Sequence, residues 1–383
     1  MALALRSSST HSYWVDILRG LAIISVIIVH TALAAKSISV TYKIDIPSYS
    51  DLFLFGRYGV ELFFFISGLL ISMIYGSKSR ESFSAKNYWK KRILRIMPLW
   101  VLFLTITILR GYLFPQSPGN WGKILQLQAD PGGIKYSTAA VIFMTITFTL
   151  WLVSELWNSV ISGGWSIQSE MAHYVSFPII RRLSLGKVLF YLSVINIIYL
   201  LLNAFQSHAT GYLDFFTSAL LRLSFNQTVF FFASGIVFYK FVLSPERKKR
   251  IAGITKIEIF LVFIYISTII PFEIEVIQAA IFVMLFGVLG LLITKNRIFS
   301  TFFRTYGKYS YFIYFFHFFV IEFLVFVVTN LIAPELISEL NFPEILFVLN
   351  LGTLVVVLPF GYLSYRYIEA PMISIGHKAV PKI

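Results

Sequence analysis

The chain has 383 residues, of which 57% are hydrophobic and only 13% are charged. A soluble domain carries roughly 25% charged residues, so this composition excludes an ordinary soluble protein. The net charge of +14 does not indicate nucleic-acid binding, because the basic residues occupy short segments between apolar runs, as membrane topology requires. The absence of cysteine excludes disulfides, thiolate metal sites and cysteine-based catalysis.

A membrane-spanning helix needs about 20 apolar residues. Nine segments are long and apolar enough to be predicted as spans: 14–35, 55–75, 97–114, 188–204, 220–242, 257–272, 276–294, 310–333 and 345–367. Two further segments are ambiguous. Segment 137–157 is apolar but rich in threonine, and segment 165–181 is short and contains Glu170 and His173.

The distribution of basic residues decides between these two segments. If 165–181 spans, 137–157 does not, and the N-terminus is cytoplasmic, then 25 of the 32 lysine and arginine residues lie in cytoplasmic segments such as the loop 295–308. We therefore predict an all-α bundle of about ten spans with both termini in the cytoplasm. Segment 137–157 becomes a re-entrant or interfacial piece on the outer side. We expect one integral-membrane domain over residues 1–383 and no soluble domain.

The first span carries the most informative polar residues. Charged or titratable groups inside a span are costly, so each is a functional candidate. Arg19 and His30 are 11 residues apart, close to three helical turns, so both face one side and lie about 16 Å apart along the axis. Asp16 lies one turn before Arg19, where it can pair with it. The alternative for His30 is a structural histidine that is hydrogen-bonded to a neighbouring helix.

Two carboxylates are predicted to lie at the depth of His30. The helical rise places His30 about 24 Å from the inner boundary, and it places Glu61 and Glu170 at the same level. A carboxylate at that level can orient the imidazole, as the acid of a catalytic triad does. The sequence leaves Glu170 and Glu61 as alternatives for this role. For Glu61, a structural pair with Arg57, four residues earlier, is equally favoured.

At the inner face, Arg92 and Arg95 precede Pro98, which is predicted to start the third span. Positive-inside anchoring explains most of the basic residues in this run. The two arginines are three residues apart and project on one helical face, where they can clamp phosphates.

Polar features of the later spans are interpreted mainly as structural. His317, about 11 Å into the ninth span, is predicted to be a packed, hydrogen-bonded residue, with a functional role as the lesser alternative. Glu369 is expected to pair with a basic loop at the inner end of the last span. Segment 63–68 is echoed by segment 230–235, and each Ser-Gly pair indicates close helix packing.

Many of these residues belong to a series of short motifs. The motifs are Arg19 with His30; Gly59 to Phe64 with Ser67, Gly68 and Leu69; Arg92, Arg95 and Pro98; Trp165 to Glu170 followed by Tyr174 and Pro178; Ser310, Tyr311, Tyr314 and His317; and Tyr367 to Pro371. With these motifs in this order, the chain resembles the membrane acyltransferase-3 family over nearly its whole length. The departures are mild: Ile167 stands where leucine is usual, and His173 precedes Tyr174 where the family often has phenylalanine.

The resemblance implies a function and a set of roles. It implies transfer of an acyl group, commonly acetyl, from cytoplasmic acyl-CoA to a hydroxyl of an extracytoplasmic or lipid-linked glycan, in a bacterial cytoplasmic (inner) membrane. It also implies that His30 is catalytic and that the acyl-CoA donor is bound by Arg19, Arg92 and Arg95. We expect no bound metal and no nucleic-acid partner. Membrane lipid is an expected partner, and the sequence leaves open whether the chain forms a homo-oligomer. Further candidate site residues are Asp16, Ser67, Trp165, His317 and Glu369.

Two other functions fit the same residues. Buried histidine, arginine and glutamate together with a re-entrant segment are also typical of a secondary transporter. A glycan exporter or flippase without acyl-transfer chemistry is the third alternative. The arginine pair at positions 92 and 95 discriminates between them, because a transporter has no need of acyl-CoA. Whether His30 acts as a general base or carries the acyl group is open from sequence.

Overall fold

The computed structural model describes residues 8–76, 83–113, 137–150, 160–184, 226–240 and 274–378, and short stretches between 186 and 201. Within these ranges the chain is helical and has no strand, which confirms the predicted all-α class. The predicted span 257–272 lies outside the described residues, as do much of 188–204 and part of 220–242. The number of ten spans and the cytoplasmic termini stay predictions.

The helices are α1 Ser8–Tyr42, a 3-10 helix Ser48–Tyr58, α2 Gly59–Tyr75, α3 Ala85–Leu113, α4 Thr138–Ile146, α5 Gly164–Ile180, α6 Asn226–Phe238, α7 Ile274–Ile293, α8 Arg297–Lys308, α9 Ser310–Leu331, α10 Pro334–Ser338, α11 Phe342–Ser364, a π-helical stretch Tyr365–Glu369, and α12 Ala370–Lys378. In the described part of the chain, five segments are long and apolar enough to cross a membrane: Tyr13–Tyr42, Ser48–Tyr75, Ala85–Gly111, Ser310–Leu331 and Phe342–Gly376. These segments support the prediction of an integral membrane protein.

The third helix begins well before its predicted start at residue 97. It runs from Ala85 and contains Pro98 within its length. The basic residues at 90–95 interrupt the apolar run on which the prediction depended, but lysine and arginine are good helix formers. Arg92 and Arg95 therefore lie inside α3 and not ahead of it.

The described part of segment 137–157 is a short helix followed by a turn. The helix α4 has nine residues, and its first turn is capped by Ser137. Nine residues rise about 14 Å, less than half of a membrane core of about 30 Å. Trp100 of α3 donates its indole N–H to the carbonyl oxygen of Thr145 at 2.9 Å, which fixes the end of α4. A re-entrant path for the whole segment stays a prediction, since residues 151–159 lie outside the described residues.

The chain divides into two compact units. Unit 1 comprises Met1–Phe63 and Ile281–Pro371, and unit 2 comprises Phe64–Ala280 and Met372–Ile383. In unit 1, α1 is central and contacts the 3-10 helix, α8, α9 and α11. Unit 2 contains most of α2 together with α3 to α6. The predicted single domain over residues 1–383 stays a prediction.

In unit 1, glycines bring α1 and α8 into backbone contact. A Cβ atom at Gly20 would collide with the carbonyl of Phe303, and one at Gly307 would collide with the carbonyl of Asp16. Small residues allow this close approach of helices in a membrane. The expectation of a loop over 295–308 is therefore wrong, because Arg297–Lys308 is a helix that crosses α1 near Arg19. The cytoplasmic location of this segment stays a prediction.

In unit 2, the two similar segments of α2 and α6 contact each other. A Cβ atom at Gly68 would collide with the carbonyl of Phe232, and one at Gly235 would collide with the carbonyl of Phe65. Each glycine therefore admits the backbone of the other helix. This confirms the interpretation of both Ser-Gly pairs as close helix packing.

Candidate active site

Helix α1 carries the predicted pair of polar residues in the predicted geometry. It is one α-helix over Ser8–Tyr42, so Arg19 and His30 lie on the same side and about 16 Å apart along the axis. The guanidinium Nη1 of Arg19 lies 3.7 Å from Oδ1 of Asp16, which confirms the predicted pair. The N-terminal half of α1 thus holds a partly compensated cation, and its C-terminal half holds an imidazole.

The structure brings His30 together with His317. His30 is half-buried, and its ring centroid lies 5.3 Å from that of His317 and 4.6 Å from that of Phe318. His317 is fully buried, and its Nδ1 is 3.0 Å from the carbonyl oxygen of Ile313. The predicted packed and hydrogen-bonded state of His317 is confirmed. Its contact with His30 is a feature that the sequence did not indicate.

The sequence placed His30 and His317 at different depths, about 24 Å and about 11 Å from the inner boundary, by counting helical rise. The count treated Ser310 as the inner boundary of the membrane. Because α8 packs against α1 at Asp16 and Gly20, α9 begins near the level of Arg19. Seven residues of α9 rise about 10 Å, which covers most of the roughly 16 Å from Arg19 to His30. The side chains cover the rest, since the two rings lie 5.3 Å apart.

Glu61 is buried on α2 but does not share the level of His30 along α1. Gly59, two residues earlier, lies against the carbonyl of Ala22, as a Cβ atom there would approach that oxygen to 2.5 Å. Ala22 precedes His30 by eight residues, a rise of about 12 Å. The predicted common level is therefore wrong for Glu61, which lies between the levels of Arg19 and His30.

In unit 2, Glu170 is the centre of a hydrogen-bond network. The Ser67 hydroxyl donates to its Oε1 at 2.6 Å, and the Tyr174 hydroxyl donates to the same oxygen at 2.5 Å. A carboxyl oxygen has two lone pairs, so both hydroxyls can donate to it at once. Ser67 and Glu170, two of the predicted site residues, thus belong to one cluster.

The two arginines of α3 differ in environment. Arg92 is 7% exposed, and its guanidinium carbon lies 5.3 Å from the ring centroid of Tyr174 and 6.0 Å from those of Tyr75 and Tyr88. Three aromatic faces around one guanidinium stabilise its charge inside the protein. Arg95 is half-exposed and interacts electrostatically with Tyr174. Of the pair, only Arg95 keeps substantial access from outside.

The remaining candidates lie at helix ends or in packed positions. Trp165 is half-buried in the first turn of α5. Glu369 is buried at the end of the π-helical stretch, where it interacts electrostatically with Tyr365. His173 is buried, with its Nε2 3.1 Å from the hydroxyl of Thr228, so it is packed and hydrogen-bonded within unit 2.

The contacts of Tyr75 and Tyr88 with Arg92 were not predicted from the sequence. The hydroxyl of Tyr88 donates to the carbonyl oxygen of Tyr174 at 2.9 Å, which ties α3 to α5. Its position four residues before Arg92 is a usable signal, because such residues are neighbours on a helix. Tyr75 has no such signal, since it reaches Arg92 from the end of another helix.

The Tyr174 hydroxyl gives a testable prediction. In Tyr174→Phe the aromatic face toward Arg92 stays, but Glu170 loses one of its two donors. We expect the free energy of unfolding to fall by about 1–2 kcal/mol, visible as a lower thermal midpoint in detergent. Tyr49→Phe, at an exposed tyrosine, is the control and should leave the midpoint unchanged. Equal midpoints for the two variants would contradict the prediction.

Comparison with known proteins identifies the family. The profile of the acyltransferase-3 family, described as an acyltransferase domain, matches residues 12–363. The chain belongs to this family. A search of curated proteins and a search of solved structures each find no match. The matched range contains His30 and His317, and it contains Arg92 with the three tyrosines around it. As an acyltransferase-3 protein with helices long enough to cross a membrane, the chain is a membrane O-acyltransferase.

Proposed function

We propose that this acyltransferase takes an acyl group, most commonly acetyl, from cytoplasmic acyl-CoA and transfers it to a hydroxyl of an extracytoplasmic or lipid-linked glycan. Its expected location is the cytoplasmic membrane of a bacterium. The observation that carries the proposal is the polar side of α1, where Arg19 and His30 lie about 16 Å apart on one helix. An extended phosphopantetheine arm has a comparable length, so a donor held at the inner end can present its thioester near His30.

Donor binding is proposed for the inner end of the protein. Arg95 is half-exposed and carries the bidentate geometry that suits phosphate. Arg92 is enclosed by three tyrosine rings, so its proposed role is to hold α3 against α5 and to add a positive potential behind Arg95. Arg19, which is paired with Asp16, is proposed to contribute a further positive charge for the donor.

The proposed chemistry uses His30 as a general base. His30 accepts the proton of the acceptor hydroxyl while the oxygen attacks the carbonyl carbon of the thioester. The carbon–sulfur bond then breaks, and the proton passes to the sulfur, which leaves as free CoA. The products are an ester on the acceptor and CoA thiol. General-base catalysis of this kind contributes typically 10²–10⁴-fold.

Glycan analysis tests the proposed function most directly. Surface glycans from cells with and without the gene are compared for acyl esters that mild base releases. We expect one class of ester to disappear without the gene and to return when the gene is restored. Unchanged ester content, together with no consumption of acetyl-CoA by the purified protein in liposomes, would favour a transporter or flippase.

The donor site gives a second test of the proposal. Acetyl-CoA should raise the thermal midpoint of the purified protein, because a ligand stabilises the state that binds it. We expect Arg95→Ala to weaken this protection and to raise the KM for acetyl-CoA by at least about tenfold, the loss of one charge-assisted contact. Lys86→Ala removes an exposed cation from the same helix and serves as the matched control. Equal loss of protection in both variants would show a non-specific charge effect.

A further inference from the structure

The partner of His30 in the described residues is a second histidine from α9. His317 is fully buried, and its ring faces that of His30 at a centroid distance of 5.3 Å with an interplanar angle of 43°. Phe318 lies against both rings, at 4.6 Å from His30 and 4.0 Å from His317. The two imidazoles therefore share an apolar wall.

The backbone determines which nitrogen of His317 carries the proton. Nδ1 of His317 lies 3.0 Å from the carbonyl oxygen of Ile313. A carbonyl oxygen only accepts hydrogen bonds, so Nδ1 is the protonated nitrogen. In the neutral imidazole, Nε2 then carries the lone pair and is an acceptor.

This acceptor is buried without a hydrogen-bond partner. Nε2 of His317 has no such partner among the described residues and is shielded from solvent. An unsatisfied buried acceptor is costly, and native proteins leave few of them without a functional reason. The ring of His30 is the neighbouring imidazole, and its N–H is a donor of the type that Nε2 needs.

We infer that His317 is a positioning residue for His30: in the reacting enzyme its Nε2 accepts a hydrogen bond from one ring nitrogen of His30. This inference rests on the proposed function. The bond holds the proton of His30 on the nitrogen that faces His317 and leaves the other nitrogen free as the base. When His30 accepts the proton of the acceptor hydroxyl, the imidazolium keeps its N–H bond to His317 until the proton passes to the CoA sulfur.

From the sequence, a carboxylate was expected to orient the imidazole of His30. In this inference the neutral imidazole of His317 orients it instead. Asp in a catalytic triad fixes the histidine tautomer and stabilises the imidazolium. His317 provides the same acceptor without placing a second formal charge in the apolar surroundings, where an ion costs more than a dipole.

Two variants of His317 separate the acceptor from the shape of the ring. His317→Phe keeps an aromatic ring of similar size but has no acceptor, whereas His317→Gln keeps an acceptor oxygen near the position of Nε2. We expect the phenylalanine variant to lose kcat by at least about tenfold with an unchanged KM for acetyl-CoA. The glutamine variant should retain most of the wild-type kcat. Equal kcat values in the two variants, whether both high or both low, would overturn the inference.

Histidine NMR provides a readout that does not depend on acyl transfer. The chain has six histidines, so uniform ¹⁵N-histidine labelling gives few signals, and His30→Ala assigns one of them. We expect one tautomer for His30 in the wild type and in His317→Gln, and a mixture of tautomers in His317→Phe. An unchanged His30 spectrum in His317→Phe overturns the pairing, whatever the activity. Failure of the proposed function would instead appear as no acyl transfer by the wild-type protein, and failure of His30 as the base would appear as transfer that survives in His30→Ala.

Discussion

Replacing His30 by alanine is expected to abolish acyl transfer and to leave the protein folded and able to bind acetyl-CoA. The reason is that the substitution removes the proposed base, while the lost ring is only half-buried and packs against His317 and Phe318. The expected loss of kcat is about 10²–10⁴-fold, the usual contribution of a positioned general base. The measurement is the transfer of labelled acetyl to the glycan in liposomes, with protein amount and acetyl-CoA protection measured in parallel.

A matched control uses another histidine inside the protein. His173 is buried, stacks on the ring of Phe232 at 5.0 Å, and bonds to Thr228. We expect His173→Phe to lower the thermal midpoint and to leave the kcat of the folded fraction near that of the wild type. If His30→Ala transferred acetyl at the wild-type rate, the role of His30 as base would be wrong.

The second large effect is expected at the crossing of α1 and α8. A Cβ atom at Gly307 would fall on the carbonyl oxygen of Asp16, with the backbone nitrogen of Gly20 at 2.8 Å. Neither neighbour is a flexible side chain, so the two helices must separate. We expect Gly307→Ala to lower the free energy of unfolding by about 2–4 kcal/mol, in the range of overpacked cores and broken helix contacts. Because the crossing lies beside Arg19, transfer should fall together with stability.

Gly287 is the matched control for this substitution. It lies in the apolar helix α7, and a Cβ atom there meets no described atom within 4 Å. Alanine favours a helix over glycine by about 1 kcal/mol, so Gly287→Ala should leave the thermal midpoint unchanged or raise it slightly. A similar loss in Gly287→Ala would indicate that any added methyl group destabilises this protein, and a stable Gly307→Ala would contradict the proposed backbone contact.

The helix positions that depend only on local spacing were predicted well. Arg19, His30 and Asp16 lie as expected, because 3.6 residues per turn determine which side of a helix a residue faces. The Ser-Gly segments of α2 and α6 were also interpreted correctly, since glycine in an apolar helix indicates close packing.

Helix boundaries were predicted less well where charge and hydropathy disagree. The basic residues before Pro98 hid the first turns of α3 from a count of apolar residues. The amphipathic helix α8 was predicted as a loop because its basic residues satisfied the positive-inside rule. In both segments the backbone is helical whether or not the side chains are apolar.

The sequence by itself therefore determined the membrane class, the family motifs and the three-turn spacing of Arg19 and His30, because composition and helical periodicity are local properties. Only the tertiary structure decided what contacts that spacing serves. The contact between His30 and His317 joins residues 287 positions apart. It depends on how far α9 is displaced along α1, and that displacement is determined by the backbone contact of Gly20 and Gly307 with the opposite helix. Periodicity within one helix carries no information about such a displacement between helices.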